Sequence, residues 1–149
     1  MIAAPAGTTP VDITVMRVVP ATPERLWAAW TSPDELAEFF AHPGTSIPRH
    51  SVTMDVRPAG SLRLTAIEAD GAQVITDGVY LDVDEPALLS WQWTTAGAPG
   101  AGETMVALTE TADGTEITVR TVAHLGPAAA IGYRRGIAAC LAALEQLVA

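Results

Sequence analysis

Apolar residues near the C-terminal end of the chain recur at the spacing of an α-helix. Over residues 126–149 they are separated by three or four positions, which places them on one helical face: Tyr133, Ile137, Cys140, Leu141, Leu144, Leu147 and Val148. The opposite face carries polar residues, and Gly126-Pro127 is typical of a helix start. A helix of about 22 residues is roughly 33 Å long. We therefore expect an extended partner surface for its apolar face.

The chain before this helix alternates mainly with the period of β-strands. The alternation predicts strands over Val11–Val19, Ser51–Arg57, Ser61–Glu68 and Val74–Val83, and further strands that contain Leu89-Trp93, Thr104-Leu108 and Ile117-Thr121. Asp70-Gly71 and Asp113-Gly114 are typical hairpin turns. Gly78 predicts a bulge or a close backbone approach within its strand. The segment from Ala96 to Gly102 is interpreted as a hairpin loop.

Two short helices are predicted directly after the first strand. Thr22-Pro23-Glu24 and Ser32-Pro33-Asp34 each combine an N-cap hydroxyl, a proline at the first helical position and an acidic first turn. Trp27 and Trp30 are expected in the core. The order of elements indicates an α+β fold, a curved antiparallel sheet of about six to seven strands wrapped around the long C-terminal helix. Residues 1–10 are expected to be a flexible tail, and residues 11–149 a single domain.

Composition and charge narrow the functional classes. The 149 residues are 49% hydrophobic and 17% charged, as in a globular protein, and the net charge is −9. An acidic surface repels phosphate backbones, so we expect no nucleic-acid partner. All eight basic residues are arginines, which excludes Schiff-base chemistry by a lysine. Because the sequence shows neither a secretory signal nor about 18 consecutive apolar residues, we expect no membrane span and a cytoplasmic location.

The motifs and their order resemble the START/Bet v 1-like (SRPBCC) helix-grip superfamily, and within it the branch of Hsp90-ATPase-activator homologues and polyketide cyclase-like proteins. The matching stretches are Pro20–Trp27, Trp30–Leu36, Phe39-Phe40, Asp55–Gly60, Asp70-Gly71, Gly78, Val83–Pro86, Trp93 and Asp113–Thr115, with the closing helix. Ile137 departs from the family, in which many members have tryptophan after the glycine. A smaller residue there is expected to enlarge the cavity or change what fills it. The resemblance implies a deep pocket between sheet and last helix, suited to an apolar or aromatic small molecule.

Eleven residues are candidates for the walls of this pocket. They are the apolar and aromatic side chains predicted to face the helix, or to lie on it: Met54, Leu62, Leu64, Tyr80, Trp91, Trp93, Val106, Ile117, Tyr133, Ile137 and Leu141. Aromatic residues supply flat apolar faces with a few polar groups. The alternative for the same residues is ordinary core packing.

Candidates for acid–base chemistry are few. His124 lies at the junction of the last strand and the helix, and Tyr133 lies on the helix face, so both are expected near the pocket. Asp77 and Asp82 fall on opposite faces of a regular strand, so one of them is a candidate for an inward carboxylate. His42 and His50 are expected to face solvent. The histidines lack metal-ligand spacing, and we predict neither a metal nor a cofactor.

Three functions stay open at this point, because members of the superfamily differ widely and a fold does not fix a function. The first is binding of a hydrophobic or aromatic small molecule for sequestration, transport or resistance. The second is a polyketide cyclase/aromatase-like enzyme that uses acid–base residues in the same cavity. The third is a co-chaperone-like protein-interaction module. A homodimer is possible under each.

Overall fold

The computed structural model describes residues 4–149 and contains one antiparallel sheet and three α-helices. The strands are β1 (Thr9–Val19), β2 (Thr53–Met54), β3 (Ser61–Ile67), β4 (Gln73–Asp84), β5 (Leu88–Ala96), β6 (Gly100–Thr111) and β7 (Gly114–Leu125), and the helices are α1 (Pro23–Trp30), α2 (Pro33–Phe39) and α3 (Pro127–Val148). The strand order is β1-β7-β6-β5-β4-β3-β2. This arrangement confirms the α+β helix-grip prediction. Strand β1 begins two residues before the predicted bound, and residues 1–3 of the predicted tail lie outside the described residues.

The two short helices begin where their caps predict. The Thr22 and Ser32 side chains accept hydrogen bonds from the backbone N–H groups of Arg25 and Glu35, and a proline follows each cap. These bonds satisfy donors that a helix start otherwise leaves unpaired. The Arg25 guanidinium also binds the Glu35 carboxylate with two hydrogen bonds of 2.9 and 2.6 Å, which join α1 to α2.

Helix α3 packs its predicted apolar face toward the sheet. Ile137, Cys140, Leu141 and Leu144 are buried, and Tyr133, Leu147 and Val148 are half-buried. Polar contacts join the other side to β1: Arg134 donates to the Thr14 carbonyl at 2.7 Å, and Arg17 pairs with Glu145 at 2.9 Å. Within residues 4–149, no helix combines the length and apolar content that crossing a membrane requires.

The predicted strand Ser51–Arg57 is wrong over most of its length. Residues Arg49–Ser51 form a 3-10 turn, and only Thr53–Met54 pair with β3. The chain then folds back tightly, since Arg57 N–H donates to the Asp55 carbonyl and Gly60 N–H to the Arg57 carbonyl. A side chain on Gly60 would collide with the Asp55 carbonyl, so this turn depends on glycine. Alternation alone did not reveal that local backbone bonds end the strand.

The bulge lies beyond its predicted position, between Tyr80 and Val83. Gly78 pairs regularly with Trp93, and the register between β4 and β5 shifts between Tyr80 and Val83. Gly78 instead marks a close approach, because a Cβ there would contact the Gln92 carbonyl at 3.2 Å. The shift also changes which face Asp82 occupies.

The two predicted hairpin turns are confirmed, whereas the glycine-rich loop is shorter than predicted. Strand β5 runs to Ala96 and β6 begins at Gly100, so three residues connect them instead of the predicted Ala96–Gly102. Gly100 and Gly102 are buried strand residues. Because a Cβ on Gly102 would meet Trp93 Cζ2 at 2.7 Å, the glycine leaves room for the neighbouring indole.

An aromatic cluster fills the core where α1 and α2 meet the sheet. The Trp30 ring lies 4.9 Å from Phe39, 5.7 Å from Phe40 and 6.2 Å from Trp91, between ring centroids. Trp27 and Trp30 are 6% and 2% exposed, which confirms that both belong to the core. The cluster forms one end of the space beneath α3.

Candidate functional site

A cavity of about 480 Å³ lies between the sheet and the N-terminal half of α3. Its apolar walls include Phe40, Ile47, Leu64, Trp91, Trp93 and Leu125. Side chains from β3, β5 and β7 contribute to it because alternate residues of these strands face α3. The volume falls within the range of about 300–1,000 Å³ that is typical of small-molecule sites.

Small residues of α3 form the opposite wall. Ala128, Ala129, Gly132 and Gly136 line the cavity, and none carries a side chain larger than a methyl group. They recur at helical spacing, so they share one face of α3. Because this face is made of small residues, it leaves a gap between α3 and the sheet. Farther along the helix, the larger residues Ile137, Leu141 and Leu144 fill the corresponding gap.

A chain of hydrogen bonds crosses the cavity floor. Trp93 Nε1 donates to Thr104 Oγ1 at 3.0 Å, Thr104 Oγ1 bonds to Thr121 Oγ1 at 3.0 Å, and Thr121 Oγ1 bonds to the Tyr133 hydroxyl at 3.3 Å. Burial raises the pKa of the Tyr133 hydroxyl, while its hydrogen bond to Thr121 opposes that shift. Tyr133 is therefore a neutral hydrogen-bonding group at physiological pH.

His42 lines the cavity, so the prediction that it faces solvent is wrong. Its ring lies 5.7 Å from the Tyr133 ring, between centroids, and is half-buried against α3. A Cβ on Gly136 would collide with His42 Nδ1, so glycine at this helix position makes room for the imidazole. A glycine within a helical apolar face was the sequence signal for this close approach. Burial lowers the pKa of His42 below its ordinary value of 6.5.

The predicted wall residues divide into two groups. Leu64, Trp91, Trp93 and Tyr133 line the cavity. The remaining seven lie in or against the core beyond it: Met54, Leu62, Tyr80, Val106, Ile117, Ile137 and Leu141. They face the same side of the sheet or lie on α3, but they pack with one another and with core residues of α1 and α2 and do not line the cavity. Ile137 itself belongs to the core and does not line the cavity.

Of the four acid–base candidates, only Tyr133 reaches the cavity. His124 lies between Ala123 and Leu125, which are buried beneath α3, so it belongs to the outer face of β7. Asp77 and Asp82 are both exposed, because the bulge restores Asp82 to the outer face, where Ser90 Oγ donates to its carboxylate at 3.0 Å. Neither carboxylate is turned inward. Residues 4–149 contain no cluster of three metal-binding side chains.

His42 predicts a specific pH dependence of stability. Because its pKa is lower in the folded protein than in the unfolded chain, the unfolded state binds more protons as pH falls below about 6.5. Stability is then fully present above pH 6.5 and decreases with acidification, by no more than about 1.4 kcal/mol per pH unit for one proton. Urea unfolding between pH 7.5 and 5 measures this slope.

The matched variant is His42→Gln, which keeps a polar side chain of similar reach and removes the titration. We expect a flatter profile for the variant over this pH window. The carboxylates of Asp12 and Glu35 do not interfere, because their pKa values are lowered by arginine partners and they titrate at more acidic pH. Identical slopes in the two proteins would contradict the assignment of a buried, neutral His42.

An antiparallel sheet around a long C-terminal helix, with an apolar cavity between them, defines a helix-grip protein of the SRPBCC superfamily. Residues 20–149 match the model of the family described as Activator of Hsp90 ATPase homolog 1-like protein, and the chain belongs to this family. No curated protein matches the chain in sequence.

Solved structures share the fold at low sequence identity. A Chromobacterium violaceum protein is 23% identical, with a TM-score of 0.81, and the match covers 92% of this chain and 96% of that one. CalU16 from Micromonospora echinospora is 19% identical, with a TM-score of 0.68 and coverage of 100% and 87%. DynU16, from the dynemicin biosynthetic locus, is 20% identical, with a TM-score of 0.69 and coverage of 92% and 46%.

Proposed function

We propose that the protein binds an apolar or aromatic small molecule in the cavity beneath α3 and thereby sequesters or carries it. The observation that supports the proposal is the cavity itself, about 480 Å³ in volume, with Trp91, Trp93 and Phe40 in its walls. The site combines a mainly apolar surface with a few fixed polar groups, which is the usual composition of a small-molecule site. A protein-docking function would require an exposed apolar surface, and an apolar cavity does not support that function.

The walls are organised for binding before a ligand arrives. Trp91 contacts the aromatic cluster of Trp30, Phe40 and Tyr80, and the Trp93 indole is held by its bond to Thr104. Side chains already fixed by packing lose little conformational entropy on binding. Each 100 Å² of apolar surface removed from water contributes about 2.5 kcal/mol to capture, before the costs of association.

Thermal unfolding with a panel of two- and three-ring aromatic compounds tests the proposal. A ligand present at about 100 times its Kd stabilises the folded state by about 2.7 kcal/mol. For a chain of this size, that corresponds to an increase in Tm of about 5–10 °C. A sugar of similar volume is the matched control and is expected to leave Tm unchanged. No shift with any aromatic or lipid-like compound would contradict the proposal.

A second candidate function is catalysis in the same cavity, and the pairing of His42 with Tyr133 favours it. An imidazole with a pKa below its ordinary value and a phenol occupy one apolar pocket, and both groups can transfer protons to or from a reactive, polyketide-like substrate. Under this hypothesis His42→Gln and Tyr133→Phe each reduce turnover by about 10²-fold or more with modest effects on affinity. Under the binding proposal the unmodified protein leaves a bound compound chemically unchanged over hours, as mass spectrometry of the extracted ligand measures.

A further inference from the structure

The hydrogen bonds on the cavity floor leave one proton without an acceptor. The four groups are the Trp93 indole, the hydroxyls of Thr104 and Thr121, and the Tyr133 phenol, and three hydrogen bonds join them in a line. Each group brings one donor, and each bond uses one. Whichever way the hydroxyls are oriented, four donors and three bonds leave one donor over.

The position of the leftover proton follows from burial. An indole N–H only donates, so Trp93 always gives its proton to Thr104. Thr121 is 1% exposed and does not line the cavity, so a leftover proton there would be buried without a partner. Thr104 and Tyr133 do line the cavity, although Thr104 is itself only 2% exposed, so a leftover proton on either hydroxyl can reach an acceptor placed there.

We propose that the ligand carries a hydrogen-bond acceptor, of the carbonyl or ether class, which receives this proton from Thr104 or Tyr133. The inference rests on the proposed binding function and narrows its ligand class. A purely apolar ligand would cover the donor and leave it unpaired, which is more costly than leaving an oxygen lone pair unused.

A matched pair of compounds tests this inference. Fluorenone and fluorene have the same three-ring shape and differ in a carbonyl in place of a methylene group. We expect fluorenone to bind about fivefold or more tightly, a ratio that corresponds to about 1 kcal/mol for one donor left unpaired. We also expect the carbonyl stretching band of bound fluorenone to lie at lower wavenumber than in hexane. Titration calorimetry and infrared difference spectroscopy measure the two quantities.

The possible outcomes distinguish failure of the binding function from failure of the inference that the ligand carries an acceptor. If neither compound nor any other aromatic ligand binds, the binding function fails. If both bind equally and the carbonyl band stays at its position in hexane, the function stands and the acceptor inference is overturned. These measurements use the unmodified protein, so they do not depend on whether a variant folds.

Two variants locate the donor. Thr104→Val alone would free the Trp93 N–H, which also lines the cavity, so the test variant combines Thr104→Val, Tyr133→Phe and Trp93→Phe. It removes every cavity-lining donor of the chain, and we expect the carbonyl band to move toward its position in hexane. Thr121→Val is the matched control, because it removes a hydroxyl of the same chain but leaves both cavity-facing donors. It is expected to keep the lowered band. The same band in the triple variant and in the unmodified protein would overturn the assignment to Thr104 and Tyr133.

Discussion

Gly132→Phe is expected to weaken ligand binding at least about tenfold, a loss of about 1.4 kcal/mol in binding free energy. Gly132 lines the cavity and has no neighbouring atom within 4 Å of a Cβ placed on it. A helical side chain lies over the turn that precedes its own Cα. The preceding turn contains Ala128 and Ala129, which also line the cavity, so the phenyl ring projects across its opening. Affinity for a panel compound, measured by titration calorimetry, checks the loss.

The same substitution is not expected to destabilise the fold. Replacing a glycine inside a helix by a better helix former favours folding, by about 0.5–1 kcal/mol for Gly132→Ala. Gly132→Ala is therefore the control for helix propensity, and Ile131→Phe is the control for an added ring, since Ile131 is 88% exposed and does not line the cavity. Both controls are expected to bind as the unmodified protein does. Full affinity in Gly132→Phe would contradict the placement of the binding site.

Trp30→Ala is expected to reduce the free energy of unfolding by about 3–5 kcal/mol, the largest effect on stability that we predict. Trp30 is 2% exposed and contacts Phe39, Phe40 and Trp91, so truncation leaves a cavity that the aromatic cluster cannot close. Trp91 and Phe40 also line the ligand cavity, and we expect their displacement to weaken binding as well. Urea unfolding measures the first effect.

Trp30→Phe is the matched substitution, and we expect less than half of that loss. Within the described residues, Trp30 Nε1 has no hydrogen-bond partner although it is buried. Phenylalanine removes this unpaired donor and keeps a ring in contact with Phe39, so part of the lost packing is offset. Equal losses in the alanine and phenylalanine variants would contradict this explanation, because the phenyl ring would then contribute no packing.

The elements that depend on local chemistry could be predicted from the sequence. The caps at Thr22 and Ser32 determine where α1 and α2 begin, because an N-cap hydroxyl acts on backbone groups only three residues away. The apolar spacing from Ile137 to Leu144 determines the buried face of α3, because residues three or four positions apart lie on the same side of a helix. The turns at Asp70-Gly71 and Asp113-Gly114 are also local. Together these signals determine the α+β order.

Features that depend on contacts distant in sequence could not be predicted. Tyr80 and Val83 show no local sign of the register shift between them, which depends on how β4 pairs with β5. His42 follows a helix and precedes a proline, so it was interpreted as part of an exposed loop. Its burial requires Gly136, which is 94 positions away in the chain. Such a contact is visible in the sequence only as an unexplained glycine on a helix face.

The boundary between core and cavity could not be predicted from the sequence either. Leu62 and Leu64 occupy the same face of β3, yet only Leu64 lines the cavity. Alternation assigns both to the inner face but carries no information on how far the space beneath α3 extends. That extent depends on the small residues Ala128, Ala129 and Gly132 and on the packing of α1 and α2 at the other end.

Native mass spectrometry of the protein after incubation with an extract of its own host tests the central claim most directly. We predict that the unmodified protein and Ile131→Phe retain a small molecule that is released on denaturation, and that Gly132→Phe retains much less of it. The released mass would also identify the ligand's chemical class. Equal retention by Gly132→Phe would contradict binding beneath α3. An empty protein that also shows no thermal shift with any aromatic or lipid-like compound would contradict the binding function itself.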